Sequence, residues 1–421
     1  MSAVPLSHRP RLLAIIQAGG AGSRMDVLTR ERAKPALPFA GVFQLVDFPL
    51  SNLAHSGVDH VWLSVQYQGA TLEEQVHNGR PWNLDRNDGG LRLLMPQQGT
   101  GSLDEDGFAR GNADELFRIR DQIASVDPDV LLVMSADHVY RLNYLDLVET
   151  HLDAEAECTV VVTDVPQAEA GDHAVVSVDG APGSWADGSR VTGFAYKPDD
   201  PPHGTVASEV FAYDPRVLAE VLEDLHRELG EDAEAGDTGI GDFGEHLLPR
   251  FVERDRTVAH RLPGYWKDVG QPHHYLRAHR DMLDGESGVL GVAGWPILTH
   301  QPQRPPARLL EGCEVSGSLI SPGSTIAGAV RGSVIGPGAV VEAGAEVVDS
   351  VVFSDTVVRA GARVHRAIVD VRCDIGADAV VGSPDADLDD SDAIALVGRG
   401  SIVGDGVTLE AGARLEPGTS A

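Results

Sequence analysis

Residues 14–35 run Ala-Ile-Ile-Gln-Ala-Gly-Gly-Ala-Gly-Ser-Arg-Met-Asp-Val-Leu-Thr-Arg-Glu-Arg-Ala-Lys-Pro. An apolar strand, Leu12 to Ile16, enters a turn rich in glycine (Gly19, Gly20, Gly22), and Ser23, Arg24 and Lys34 follow. Glycines let backbone approach a phosphate and aim several N–H groups at it. Arg24 adds a fork of donors suited to phosphate oxygens, and Lys34 adds a compact cation. A turn with two such cations predicts a triphosphate cradle. Two other glycine motifs fail. A Walker loop needs Gly-Lys-Ser/Thr, and Gly22 is followed by Ser23-Arg24. A dinucleotide fingerprint needs a third glycine where Met25 stands.

The strand that feeds this turn is the first of a series. Strand signals recur at 12–17, 60–66, 130–135, 158–164, 173–178, 191–196 and 208–213, with helix signals at 112–125, 216–229 and 271–284. Val130-Leu131-Leu132-Val133-Met134 is a continuous apolar run, as in a strand buried on both faces. On 216–229, Val217, Leu218, Val221, Leu222 and Leu225 share one stripe, and Gly230 supplies a stop. Alternation of this kind predicts an α/β domain with a Rossmann-like, mostly parallel sheet over residues 1–285. Residues 286–310, with Trp295-Pro296-Ile297 and several prolines, read as a connector.

From 311 to 421 the pattern changes. Apolar residues recur every sixth position in triplets: Ile335, Val341, Val347; Val352, Val358, Val364; Val369, Ile375, Val381; and Val403, Leu409, Leu415. Small residues fill the spaces. A hexapeptide period predicts a parallel β-helix with three short faces per coil. Residues 384–400 break the rhythm and read as a solvated acidic loop carrying Asp385, Asp387, Asp389 and Asp390.

Composition excludes several classes. At 421 residues and 42% apolar content, the chain predicts two or more folded domains. No apolar stretch reaches the ~18 residues of a membrane helix, and the first residues lack a signal-peptide pattern. A cytoplasmic protein without a membrane partner is expected. A net charge of −31 argues against nucleic acid. The three cysteines, Cys158, Cys313 and Cys373, form neither a metal pattern nor a disulfide framework. His273, His274 and His279 read as a solvated helix face.

Taken in order, the blocks of this chain resemble the sugar-phosphate nucleotidyltransferases, and within them the bacterial glucose-1-phosphate adenylyltransferases. Gly-Gly-x-Gly-Ser-Arg with Arg32-Ala33-Lys34-Pro35 is similar to that family's nucleotide signature. Similar blocks follow at Val46–Asn52, Pro81–Arg86, Gly111–Asp114, Ala136–Tyr140, Tyr196–Pro198, Gly241–Gly244 and Tyr265–Gly270. The resemblance implies transfer of AMP from ATP to glucose 1-phosphate for glucan synthesis, a left-handed C-terminal β-helix, and a homo-oligomer, commonly a tetramer. It implies Mg²⁺ held by Asp137 and Asp268, with Arg24 on the departing pyrophosphate and Lys34 bridging phosphates near the reacting centre. Gly19, Gly20, Gly22 and Ser23 would cradle the nucleotide, and Gln97 and Gly111 would meet the base. Lys197, Ser208 and Asp242 would hold the sugar phosphate.

The sugar pocket departs from the family pattern. Ala109 stands where a tyrosine is expected, His173-Ala174 where Phe-Gly is expected, and Tyr196 where a glutamate precedes Lys-Pro. Glu209 replaces a Met-Gly pair. A nucleotidyltransferase acting on another sugar 1-phosphate or another nucleotide therefore stays open. Glu31 also replaces the basic residue that enteric relatives place before Arg-Ala-Lys-Pro. Two other classes fit less well. A non-catalytic subunit would not be expected to keep Arg24, Lys34, Asp137 and Asp268. A hexapeptide acyltransferase would present a histidine base on a coil, and His365 is explained as a solvent-facing residue.

Overall fold

A computed structural model of the chain describes residues 10–20, 22–96, 108–180, 183–230, 237–301 and 303–421. Its first half contains β1 (Leu12–Ala18), α1 (Asp47–His55), β2 (His60–Val65), α2 (Gly69–Val76), β3 (Gly90–Leu94), α3 (Asn112–Val126), β4 (Val130–Ser135) and β5 (His138–Tyr140). Then come α4 (Tyr144–Asp153), β6 (Cys158–Asp164), β7 (Ala174–Val178), β8 (Val191–Tyr196), β9 (Thr205–Tyr213), α5 (Pro215–Leu229), α6 (Leu248–Glu253), β10 (Thr257–Arg261), β11 (Trp266–Asp268) and α7 (Pro272–Leu283).

A nine-stranded sheet runs β8-β7-β9-β4-β1-β2-β3, with β6 beside β9 and β10 beside β6. β1 pairs in parallel with β2 and β4, β2 with β3, and β10 with β6. β9 runs antiparallel to β4, β6 and β7. Leu13 to Ile16 and Val130 to Met134 are buried on both faces of this sheet, which is why their sequences are continuously apolar. α5 covers one face through Leu218, Val221, Leu222 and Leu225. Its start is set by Pro215 at the first turn and by Asp214, whose carboxylate accepts from the Arg216 and Val217 amides at 2.9 and 3.2 Å. β1, β2 and β4 all end at the same edge of the sheet, and the glycine turn leaves from there.

The C-terminal part, from Arg308 onward, is a left-handed parallel β-helix whose three walls are six-stranded parallel sheets. The hexapeptide triplets distribute one residue to each wall. Val341, Val358 and Ile375 stack on one, Val347, Val364 and Val381 on the second, and Ile335, Val352 and Val369 on the third. Serines stitch the corners, the Ser350 amide donating to Ser333 Oγ at 3.1 Å and the Ala367 amide to Ser350 Oγ at 3.2 Å. The first rung is already formed at Arg308–Leu309.

Two expectations about surface loops are corrected. Within 384–400, Ala395–Val397 is a buried strand that pairs with Ala367–Val369, so the interruption is shorter than its acidic composition suggests. The acidic part is also docked: Asp389 pairs with Arg277, and Ser391 Oγ lies 2.6 Å from His273 Nδ1. α7 is not a solvated face. His279 is buried, accepting from the Ala40 amide at 3.0 Å and bonding the Tyr275 carbonyl at 2.8 Å. The reason is the β-helix, which packs Val351, Phe353, Ile368 and Leu396 into one apolar cluster with Phe39, Tyr275 and Leu276. At the heart of this seam, Arg32 Nη2 meets Asp370 Oδ1 at 2.6 Å.

Candidate active site

The glycine turn is closed by its own neighbours. The Gly22 carbonyl accepts from the Met25 amide at 2.9 Å and from Thr29 Oγ1 at 2.8 Å. Gly22 has φ 69°, and an added Cβ would stand 3.2 Å from Lys34 Cβ, so a side chain there would press on the lysine stem. Arg24 stands exposed on the turn, whereas Lys34 is nearly buried at the start of the short helical turn Lys34–Ala36.

The carboxylates reach Lys34 from a separate ribbon. β5 pairs antiparallel with β11, and the register puts Asp268 opposite His138. Asp137 immediately precedes β5, so a two-stranded ribbon brings two distant aspartates side by side. Lys34 Nζ is 2.5 Å from Asp137 Oδ2 and 3.5 Å from Asp268 Oδ1. Ser135 Oγ donates to Asp137 Oδ1. His138 Nε2 lies 3.7 Å from each aspartate and 3.8 Å from Glu209 Oε2.

Electrostatics favour the charged forms of Lys34, Asp137 and Asp268. Burial would raise the Asp137 and Asp268 carboxyls, but Lys34 and His138 outweigh it and hold both below the ordinary aspartate range. Burial would lower the Lys34 ammonium, and the two aspartates more than restore it. His138 is raised in the same way against its burial, chiefly by Glu209. Asp268 Oδ1 is buried and has no hydrogen-bond partner. An unsatisfied carboxylate oxygen beside a second carboxylate suits a hard divalent cation. Among the described residues no group of three or more His, Cys, Asp or Glu is placed to enclose a metal ion. The remaining ligands would then be phosphate oxygens and water, the arrangement Mg²⁺ favours.

Of this cluster, Lys34, Asp137 and Glu209 line a cavity of about 460 Å³, and Asp268 and His138 do not. Gly19, Gly20, Arg24, Lys34, Gly111, Asp137, Lys197 and Asp242 all line it. The Lys197 ammonium rests 4.9 Å above the Tyr196 ring, and Tyr196 Oη donates to Asp242 Oδ2 at 3.4 Å. Asp242 also caps the helical turn after it, accepting from the Glu245 amide. Gly111 permits a backbone contact: a Cβ there would sit 2.3 Å from the Gly241 carbonyl carbon. Ser208 is not brought to the cavity. It is fully buried, and its hydroxyl donates to the Val161 carbonyl at 3.0 Å. A bulge in β9 between Ala207 and Phe211, with Glu209 at φ 57°, turns Glu209 into the cleft instead. Gly22 and Ser23 shape the turn without lining the cavity. Gln97 lies outside the described residues.

Comparison with known proteins agrees with this two-part fold. Residues 13–285 match the model of the nucleotidyl transferase family, and residues 305–409 match that of the GlmU-like C-terminal hexapeptide family. The chain is 31% identical to a glucose-1-phosphate adenylyltransferase of Bacillus thuringiensis, across 94% of this chain and 100% of that protein. The chain belongs to the glucose-1-phosphate adenylyltransferase family. It is a nucleotidyltransferase. Other family members from Acetivibrio thermocellus and Clostridium acetobutylicum are 29% and 32% identical, over 97% and 78% of this chain and 94% and 83% of theirs. Among the described residues, no helix is long and apolar enough to cross a membrane.

Against that family background, several lining residues escape sequence reasoning. Gln17, Gln66 and Glu115 form a polar wall of the cavity, yet each lies in an apolar or helical run that gives no local signal. His138 was legible only as part of its block, because its role depends on the β5–β11 register.

Proposed function

We propose that the chain transfers AMP from ATP to glucose 1-phosphate, giving ADP-glucose and pyrophosphate for glucan synthesis. The observation that carries this reading is Lys34 seated between Asp137 and Asp268 at the mouth of the glycine turn. A phosphate oxygen of the sugar phosphate attacks the α-phosphorus in line. A new P–O bond forms, the bond from the α-phosphorus to the bridging oxygen breaks, and pyrophosphate leaves with that electron pair. No protein nucleophile is required. Both reactants are anions, so alignment and charge neutralisation are the main contributions.

In this reading Gly19 and Gly20 border the nucleotide, and the Arg24 guanidinium holds the β- and γ-phosphates. Lys34 moves from its carboxylate partners onto phosphate oxygens at the reacting centre. Asp137 and Asp268 would hold Mg²⁺, which supplies charge neutralisation on the α- and β-phosphates when bound. Lys197 grips the sugar phosphate, Asp242 accepts from a sugar hydroxyl, and Gly111, with Gln97, borders the base. Ser208 would support the strand beneath the site. The division into residues 1–285, 286–310 and 311–421, a homotetramer joined through the β-helix, and a cytoplasmic location complete the proposal.

A second reading keeps the chemistry and changes the sugar. Tyr196 fills space against Gly244, whose added Cβ would lie 2.1 Å from the ring, and Glu209 adds a carboxylate to the same wall. The test is pyrophosphate release with Mg²⁺ and ATP across a panel of sugar 1-phosphates. Highest kcat/KM with glucose 1-phosphate supports the first reading. Preference for another sugar supports the second, and no release with any partner refutes both.

A further inference from the structure

The cleft holds one buried carboxylate that the reaction above does not use. Glu115 sits one turn into α3 and is only 4% exposed. Its Oε2 accepts from Gln17 Nε2 at 3.1 Å, and that same nitrogen donates to the Asn112 carbonyl at 2.8 Å. Its Oε1 is buried without a hydrogen-bond partner. Gln66 Oε1, at the end of β2, is likewise buried and unpartnered. The two side chains flank Gly19: an added Cβ there would meet Gln66 Nε2 at 2.9 Å and Glu115 Oε2 at 3.7 Å. All of these residues line the cavity on the wall made by β1, β2 and α3, next to Gly111. Two unpartnered buried oxygens on one wall of a binding cleft are costly unless a ligand satisfies them.

We propose that Glu115 and Gln66 form a donor–acceptor pair that selects adenine as the nucleobase, with Gln17 fixing the carboxyl in place. The proposal rests on the ATP reading above. Adenine presents an acceptor at N1 beside a donor at the exocyclic amine. A neutral carboxyl donates to the first, and the Gln66 amide oxygen accepts from the second. Guanine reverses that polarity, with N–H at N1 beside a carbonyl, and leaves both protein groups unmatched. Burial pushes the Glu115 carboxyl up to about 8, and Asp114 adds to the rise. The Gln17 hydrogen bond opposes it. Asp114 is itself held by Arg118 and by Thr238 Oγ1 at 2.7 Å. Burial thus favours the neutral, donating form of Glu115 at neutral pH.

The test is calorimetric binding of Mg²⁺–ATP, Mg²⁺–GTP and Mg²⁺–UTP to the full chain, wild type beside E115Q and E115A, with circular dichroism confirming the fold. Wild type should prefer ATP, and E115Q, a neutral isostere, should keep that preference. E115A should lose about tenfold for ATP, the scale of one hydrogen bond, with GTP and UTP changed less than about threefold. Raising the pH from 7 to 9 should weaken ATP binding about tenfold in wild type and leave E115Q flat. Equal weakening of all three nucleotides by E115A, or the same pH profile in wild type and E115Q, overturns the inference. Wild type preferring GTP or UTP sinks the ATP reading itself. ATP preference surviving in E115A sinks only the role of Glu115.

Discussion

The seam between the two halves makes a sharp thermodynamic prediction. Arg32 lies two residues before Lys34, and its side chain is 6% exposed against 1% for Asp370. The pair meets at 2.6 Å, and the Val371 amide adds a second donor to Asp370 Oδ1 at 2.6 Å. Burial nevertheless pushes the Asp370 carboxyl above its ordinary value despite Arg32. Arg32 Nη1 has no hydrogen-bond partner. The pair is thus desolvated and incompletely satisfied, so its net worth is small while the cost of breaking it is large. Asp370→Asn strands a buried guanidinium and should destabilise by about 3–5 kcal/mol, whereas Arg32→Met with Asp370→Leu removes both charges and should recover most of that. In urea, 3–5 kcal/mol corresponds to a midpoint shift of about 1 M or more. All five tryptophans (Trp62, Trp82, Trp185, Trp266, Trp295) precede the β-helix, so fluorescence reports the first half alone. A shift caused by a β-helix residue is then transmitted through the seam. A fluorescence midpoint within about 0.2 M of wild type for Asp370→Asn, or a double variant worse than the single, would refute the reasoning.

Lys34→Met should lower kcat about 10²- to 10³-fold, the usual loss of one transition-state cation or donor, with ATP binding largely retained; a loss under tenfold in steady-state pyrophosphate release contradicts its placement. Ser208→Ala removes the hydroxyl bonded to the Val161 carbonyl, so it should cost about 1–3 kcal/mol in denaturant unfolding. It should move KM for the sugar phosphate less than about threefold, and a tenfold rise would return Ser208 to the site. His279 is buried with its pKa lowered to about 4 by desolvation. Its unfolded form binds a proton that the folded form refuses, so stability is full above the unfolded value near 6.5 and falls as pH drops toward 4, by about 3 kcal/mol. In His279→Leu that share of the acid sensitivity should vanish, as measured by unfolding at pH 7 and pH 4.5. Gly111→Ala would drive a methyl into Gly241, so it should lower kcat/KM by tenfold or more while circular dichroism stays unchanged.

Where a signal is local, the sequence carried it. The strand into the glycine turn, the apolar run 130–134 and the hexapeptide period each encode burial within one element. The β5–β11 ribbon is different, because its register joins Asp137 to Asp268 across 131 residues and no local pattern specifies it. Periodicity also misplaced side chains wherever the backbone or a distant partner intervened. Alternation along β9 cannot foresee the bulge that buries Ser208 and presents Glu209. The histidines of α7 look polar in sequence, yet the β-helix covers His279. β3 and β10 give weak strand signals, because β3 opens on glycine and β10 carries His260 and Arg261. Gln17 and Glu115 were invisible for the opposite reason: each is a polar residue embedded in a regular element, and only the assembled cleft shows what it faces.

The most direct measurement is the fate of the α-phosphorus. With ATP labelled at that atom, glucose 1-phosphate and Mg²⁺, the label should appear in ADP-glucose with stoichiometric unlabelled pyrophosphate, and should fail to do so in Asp268→Asn. Label recovered as AMP or ADP without sugar nucleotide, or undiminished transfer in Asp268→Asn, would contradict a site in which Lys34, Asp137 and Asp268 jointly bring two anions together.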